Sequence, residues 1–247
     1  MSKVQTAASG AERAVHAAAA AAHLVVAIAL GALALAQASI LLPIALSTPV
    51  VNPVGVFARV DLAAAATIVV LIGAGAHAAL AVWITRGASG FTVRAVQLIA
   101  FAQASGITVF LVAQLNGVTE AGTLILLYAT AGAAAGLLWL QARETGEHRR
   151  ARWPFSLGAG LAVVPWGIVA LSQIVALIAG SPPSPIVRAL TVLILVVAAL
   201  GWWTERRWQL GLATDGRTAL VHAALSLANG IGLLVLAVGL GRPSALL

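Results

Sequence analysis

The chain has 247 residues, 61% of them hydrophobic and 9% charged, with a mean hydropathy of +1.03 and a net charge of +7. Soluble domains stay nearer one-half apolar, so this composition excludes a soluble fold and points to a polytopic membrane protein. There is no cysteine, which excludes disulfides, thiolate nucleophiles and iron–sulfur clusters.

Seven continuous apolar runs predict spanning helices at about 14–37, 61–85, 95–116, 121–141, 155–179, 187–208 and 217–239, since about 20 apolar residues cross the hydrocarbon as a helix. The runs are rich in Ala, Leu and Gly and lack the period-two alternation of a membrane β-barrel. The expected fold is therefore all-α, a single seven-helix transmembrane domain covering 1–247. The first run follows Lys3 and Arg13 and contains Ala34-Leu35-Ala36, yet it outruns a signal-peptide core and reads as a span. The longest connection, Ala38 to Val60, carries Pro43, Pro49 and Pro53 and has room for a short hairpin around Val50–Arg59. Span 4 contains Gly132-Ala-Ala-Ala-Gly136, a GxxxG that serves either packing within the bundle or a homodimer. Pro165 in span 5 removes a backbone donor and predicts a local kink.

The cations are unevenly shared between the two sets of connecting segments. The set containing the N-terminus holds eleven: Lys3, Arg13, Arg86, Arg94, Arg143, Arg149, Arg150, Arg152, Arg206, Arg207 and Arg217. The other set holds Arg59, Arg188 and Arg242. The positive-inside rule then puts the N-terminus in the cytoplasm and the C-terminus outside, in a multi-pass protein of the cell membrane. The positive charge is assigned to topology and anionic membrane lipids, not to nucleic acid. The basic segment Arg143–Arg152 is the candidate docking surface for a cytoplasmic partner.

All seven carboxylates (Glu12, Asp61, Glu120, Glu144, Glu147, Glu205, Asp215) fall in connections or at span ends, and no span has a central charge. A proton relay needs titratable groups in series, so an ion pump is disfavoured. His16 and His23 share a helical face, and His222, Ser226 and Asn229 share another. Such groups either hydrogen-bond between helices or converge on a polar cavity. Histidines on three spans suggest a metal, but no spacing forces them together and no carboxylate assists, so no metal is expected. Paired carboxylates, HExxH and an informative Ser/His spacing are missing, and the chain is not expected to be an enzyme.

Several segments resemble the heliorhodopsins, retinal-binding seven-helix proteins with an inverted orientation. Pro154-Phe155-Ser156-Leu157-Gly158 followed by Val163-Val164-Pro165-Trp166 is similar to that family's span-5 signature at the same spacing. Leu111-Val112-Ala113-Gln114, Gly117 and Trp139-Leu140-Gln141 follow its pattern in spans 3 and 4, and Leu225-Ser226-Leu227 resembles the segment before its retinal lysine. The resemblance covers about residues 13–240. It implies that His23 and His77 flank the chromophore site. It also puts the retinal-lysine position at Gly230, or at Asn229 with a shift of one. The span-3 counterion position falls on Ala100, or on Gln97 or Gln103 with a shift of one turn. None of these residues is a lysine or an acid, and Lys3 is the only lysine in the chain. The two losses are linked, because a buried carboxylate without its Schiff-base cation is a desolvation cost.

The expected protein is thus heliorhodopsin-like, without covalent retinal or other cofactor, acting as a sensor, binding protein or scaffold through its basic cytoplasmic face. The alternative is a carrier or binder of a small neutral or apolar ligand, a lipid among them, in the vacated retinal pocket. That pocket is expected to be lined by His23, His77, Ala100, Gln103, Ser226, Asn229 and Gly230.

Overall fold

The computed structural model describes residues 3–36, 39–48, 51–87, 90–143 and 153–241. Among these, seven helices are long and apolar enough to cross a membrane. They are α1 (Lys3–Leu35), α2 (Leu62–Thr85), α3 (Gly90–Leu115), α4 (Ala121–Arg143), α5 (Trp153–Ile178), α6 (Pro185–Gln209) and α7 (Asp215–Gly241). Between α1 and α2 lies a two-stranded antiparallel hairpin, β1 (Leu41–Thr48) and β2 (Val51–Asp61). It is longer than the hairpin expected around Val50–Arg59, because β1 recruits the apolar run beginning at Leu41. Most of the docking segment Arg143–Arg152, along with Gln37 and Arg242, lies outside the described residues.

The bundle has two chemically distinct ends. At the hairpin end, Asp61 caps α2 by accepting from Ala64 N (2.8 Å), and Ser39 Oγ accepts from Ala63 N (2.9 Å). The backbone N–H of Ala45 donates to Thr119 O (2.8 Å), and Gln114 Nε2 donates to Pro43 O (3.1 Å). These bonds fasten β1 over the α3–α4 connection, burying Ala45 and placing Leu42 in the main apolar core. That core includes Leu30, Leu62, Leu111, Leu124, Leu127 and Leu233. Below it, Asn116 is a hub: its Nδ2 donates to Thr191 Oγ1 (2.9 Å), and its Oδ1 accepts from Gln173 Nε2 (2.7 Å). This amide ties α3, α5 and α6 together.

The opposite end, where α1, α3, α5 and α7 begin, carries tryptophan and arginine. Arg143 lies over Trp139 (4.8 Å) and Arg207 over Trp203 (4.9 Å). Aromatic rings with cationic partners suit the headgroup level of a bilayer. The outer faces of the helices are apolar, with Leu24, Ile28, Ile125, Leu126, Leu171 and Ile174 exposed. Water would not tolerate such a surface, whereas lipid matches it. A Cβ built on Gly132 or Gly136 meets open space, so the GxxxG is not used for packing within the bundle.

Glu120 opens α4. Its carboxylate accepts from the backbone N–H groups of Thr123 (2.6 Å) and Gly122 (3.0 Å), which hold its pKa below the ordinary value of 4.5. Because folding lowers this pKa, the cap contributes above the ordinary carboxylate range and is lost as pH falls through the lowered value. Melting followed from neutral pH to about pH 3 should therefore show an acid decline that is smaller in Glu120→Gln than in the native chain.

Candidate functional site

Small side chains create the space for a buried polar layer. On α1, His16 and His23 are two turns apart on one face, and α2 brings His77 against them. Gly73 on α2 makes room for the His23 ring: a Cβ there would lie 2.7 Å from its Cδ2. His16 Nδ1 and His77 Nδ1 are 3.0 Å apart, so one of the two carries the shared proton. Ser226 on α7 completes the group, with Oγ 3.0 Å from His23 Nε2 and 3.4 Å from His77 Nε2. The Nδ1–H of His23 donates to Ala19 O (2.7 Å), and the Ser226 hydroxyl lies between His23 Nε2 and Ala223 O, to which it can donate (3.1 Å). Among the described residues, no group of three or more His, Cys, Asp or Glu is arranged to hold a metal ion.

A second group was not foreseen. Arg94 on α3 pairs directly with Glu205 on α6, and His222 Nε2 on α7 lies 2.7 Å from Glu205 Oε1. Glu205 is only 2% exposed. Arg94 also donates to Gln97 Oε1 (3.3 Å) and lies over the Trp208 ring (4.6 Å), while its Nε–H has no partner among the described residues. Sequence reading had placed Arg94 among the topology cations and Glu205 among the span-end carboxylates. The usable signal was their depth: opposite charges, each one turn inside its helix end, on the same side of the bundle.

These groups border a cavity of about 390 Å³ enclosed by α2, α3, α5, α6 and α7, with contributions from α1 and α4. That volume falls within the range of about 300–1,000 Å³ usual for small-molecule sites. Its walls are mostly apolar: Ala100, Phe101 and Ala104 on α3, Ala162, Pro165 and Trp166 on α5, Ile194, Ala198 and Trp202 on α6, and Leu225 on α7. Asn229 reaches in from α7 and donates to Thr108 Oγ1 (2.9 Å). Pro165 leaves the carbonyl of Leu161 without its usual helical donor inside this wall. α5 and α6 pack sparsely against each other, and Val163 and Leu195, which line the cavity between them, are 65% and 39% exposed.

The predicted lining residues divide. His23, His77, Ala100, Ser226 and Asn229 border the cavity, as does Gln97. Gln103 and Gly230 are corrections. Gln103 turns outward and its Oε1 accepts from Tyr128 OH (2.5 Å), the ring of which lies over Gly106. Gly230 faces α2, where a Cβ would lie 3.0 Å from Val70 Cγ2. Each sits about 100° around its helix from a neighbour that does face the cavity. No protein-family model matches the chain, and no curated protein matches it in sequence.

Proposed function

We propose that this chain is a heliorhodopsin-like membrane protein that forms no retinal Schiff base and holds a small apolar ligand non-covalently in its central cavity, as a binding protein or sensor. The cavity carries this reading: an apolar chamber of ligand size, polar along one side, with a sparsely packed wall between α5 and α6. Lateral access through that wall suits a ligand dissolved in the bilayer. The N-terminus is assigned to the cytoplasm. Burial of Arg94 removes one of the eleven cations on that side and leaves ten against three, which keeps the bias. Ion pumping and catalysis form no part of the proposal. The buried titratable groups, His16, His23, His77, Arg94 and Glu205, and the half-buried His222 occupy one half of the bundle, and the Asn116 hub in the other half is built of amides and hydroxyls.

Mass spectrometry of lipids and apolar metabolites that copurify with the protein tests the reading, alongside Ala104→Phe and Ala162→Phe variants that fill the chamber. A bound apolar species should accompany the native protein and be lost from folded variants. A native protein carrying nothing, and taking up no added apolar ligand, would sink the proposal. Retinal added to the protein, followed by borohydride, should leave no covalent retinyl adduct within the bundle.

A further inference from the structure

We infer that the charged end of the cavity is a head-group subsite, and that the preferred ligand is a long apolar chain ending in a carboxylate, taken up together with one proton on His222. The inference rests on the ligand-binding reading above and names the class of ligand. The first support is an unused donor. The Nε–H of Arg94 is buried at the cavity wall and has no partner among the described residues. A buried guanidinium N–H without an acceptor is unfavourable, and a ligand oxygen at this end would satisfy it.

The second support is charge balance. Arg94 and Glu205 already cancel. A carboxylate arriving beside them would leave the end with one uncompensated negative charge in a medium of low dielectric, which is strongly disfavoured. His222 lies against Glu205 and can accept one proton, restoring neutrality over the four groups. The balanced step is a carboxylic acid entering from the lipid, its proton passing to His222, and its carboxylate accepting from Arg94. One spare N–H and one added proton match a single carboxylate, and a doubly charged phosphate would again leave an excess. An alcohol or ester head needs no proton but gains only a neutral acceptor's hydrogen bond, roughly half as strong as a charge-assisted one.

Other charged or titratable groups near His222 are few. Arg94 is on α3, Glu205 is on α6, and His77 on α2 is within electrostatic reach, with His16 and His23 of α1 behind it. Phe101 packs edge-on against the His222 ring, with 6.2 Å between centroids. Because uptake of the carboxylate is coupled to uptake of one proton, acid binding should weaken as pH rises.

Direct binding of tritiated oleic acid, oleyl alcohol and methyl oleate to the purified full chain in nanodiscs tests this. At about pH 6 the acid should bind about tenfold tighter than the alcohol or the ester, and because binding takes up a proton the advantage should shrink by about pH 8.5. His222→Gln, which keeps a neutral polar side chain beside Glu205, should abolish the acid preference, so that acid, alcohol and ester then bind to within about twofold of one another. In weakly buffered solution, oleate addition should consume one more proton per bound ligand with the native protein than with His222→Gln, and the alcohol should consume none. Equal binding of all three heads at every pH, or an acid preference that survives His222→Gln, overturns the subsite while leaving the cavity as a binding site. Failure of all three to bind overturns the cavity reading itself.

Discussion

Glu205→Leu should destabilise the bundle by about 3–5 kcal/mol, because it leaves the Arg94 guanidinium buried without a counter-charge. Glu205 is almost wholly enclosed and Arg94 is nearly so, which keeps solvent from screening the pair. The double variant Arg94→Met with Glu205→Leu should recover most of that loss. It removes both charges and puts apolar side chains of similar length among Trp208, Phe101 and the cavity wall. Reversible unfolding in mixed micelles, run as a double-mutant cycle, measures the two changes and their coupling. A cost below about 1 kcal/mol for Glu205→Leu would place the pair in the class of solvated ion pairs and remove the case for a desolvated cavity end.

Lysine placed at two adjacent positions of α7 should give opposite outcomes. At Gly230 even a Cβ lies 3.0 Å from Val70 Cγ2, and Val26 stands behind it. Gly230→Lys should therefore cost about 3 kcal/mol or more through overpacking and a buried ammonium, and it should form no pigment. Asn229 faces the cavity, so Asn229→Lys directs its amine into the chamber beside His23, His77 and Ser226, at the loss of the Asn229–Thr108 bond. Combined with Ala100→Glu on the facing wall, it should yield a borohydride-trappable retinyl adduct and visible absorption after retinal is added. An adduct on Gly230→Lys and none on Asn229→Lys would show that the helical phase described for α7 is wrong.

The contrast between Gly230 and Asn229 shows what the sequence conveyed and what it withheld. Span positions were legible because hydrocarbon demands unbroken apolar runs. Helix starts were less so: α1 begins at Lys3 and α3 at Gly90, since helical backbone continues into polar residues that no lipid constrains. Rotational phase was hardest to read. Helices facing lipid are as apolar outside as inside, so Ala100 and Gln103 carry no periodic label saying which looks inward. The histidine layer was partly readable from the seven-residue spacing of His16 and His23. The Arg94–Glu205–His222 group was hidden because a charge near a span end reads equally well as solvated or paired. β1 was hidden by Pro43, which a two-stranded sheet tolerates because every strand in it has a free edge.

The Arg94–Glu205 pair also constrains the order in which the bundle assembles. Its members are 111 residues apart, so α3 enters the membrane while α6 has yet to be made. Until then Arg94 has no carboxylate, and with only one helical turn before it, it can extend its long side chain to the headgroups. Trp208 travels on α6 as well, so the arginine's counter-charge and its aromatic cover arrive together. α1 and α2, by contrast, meet early through His16 and His77, 61 residues apart. A chain halted after α5 would hold α3 at a shallower depth than the finished protein, and the arrival of α6 would draw Arg94 inward and close the end of the chamber.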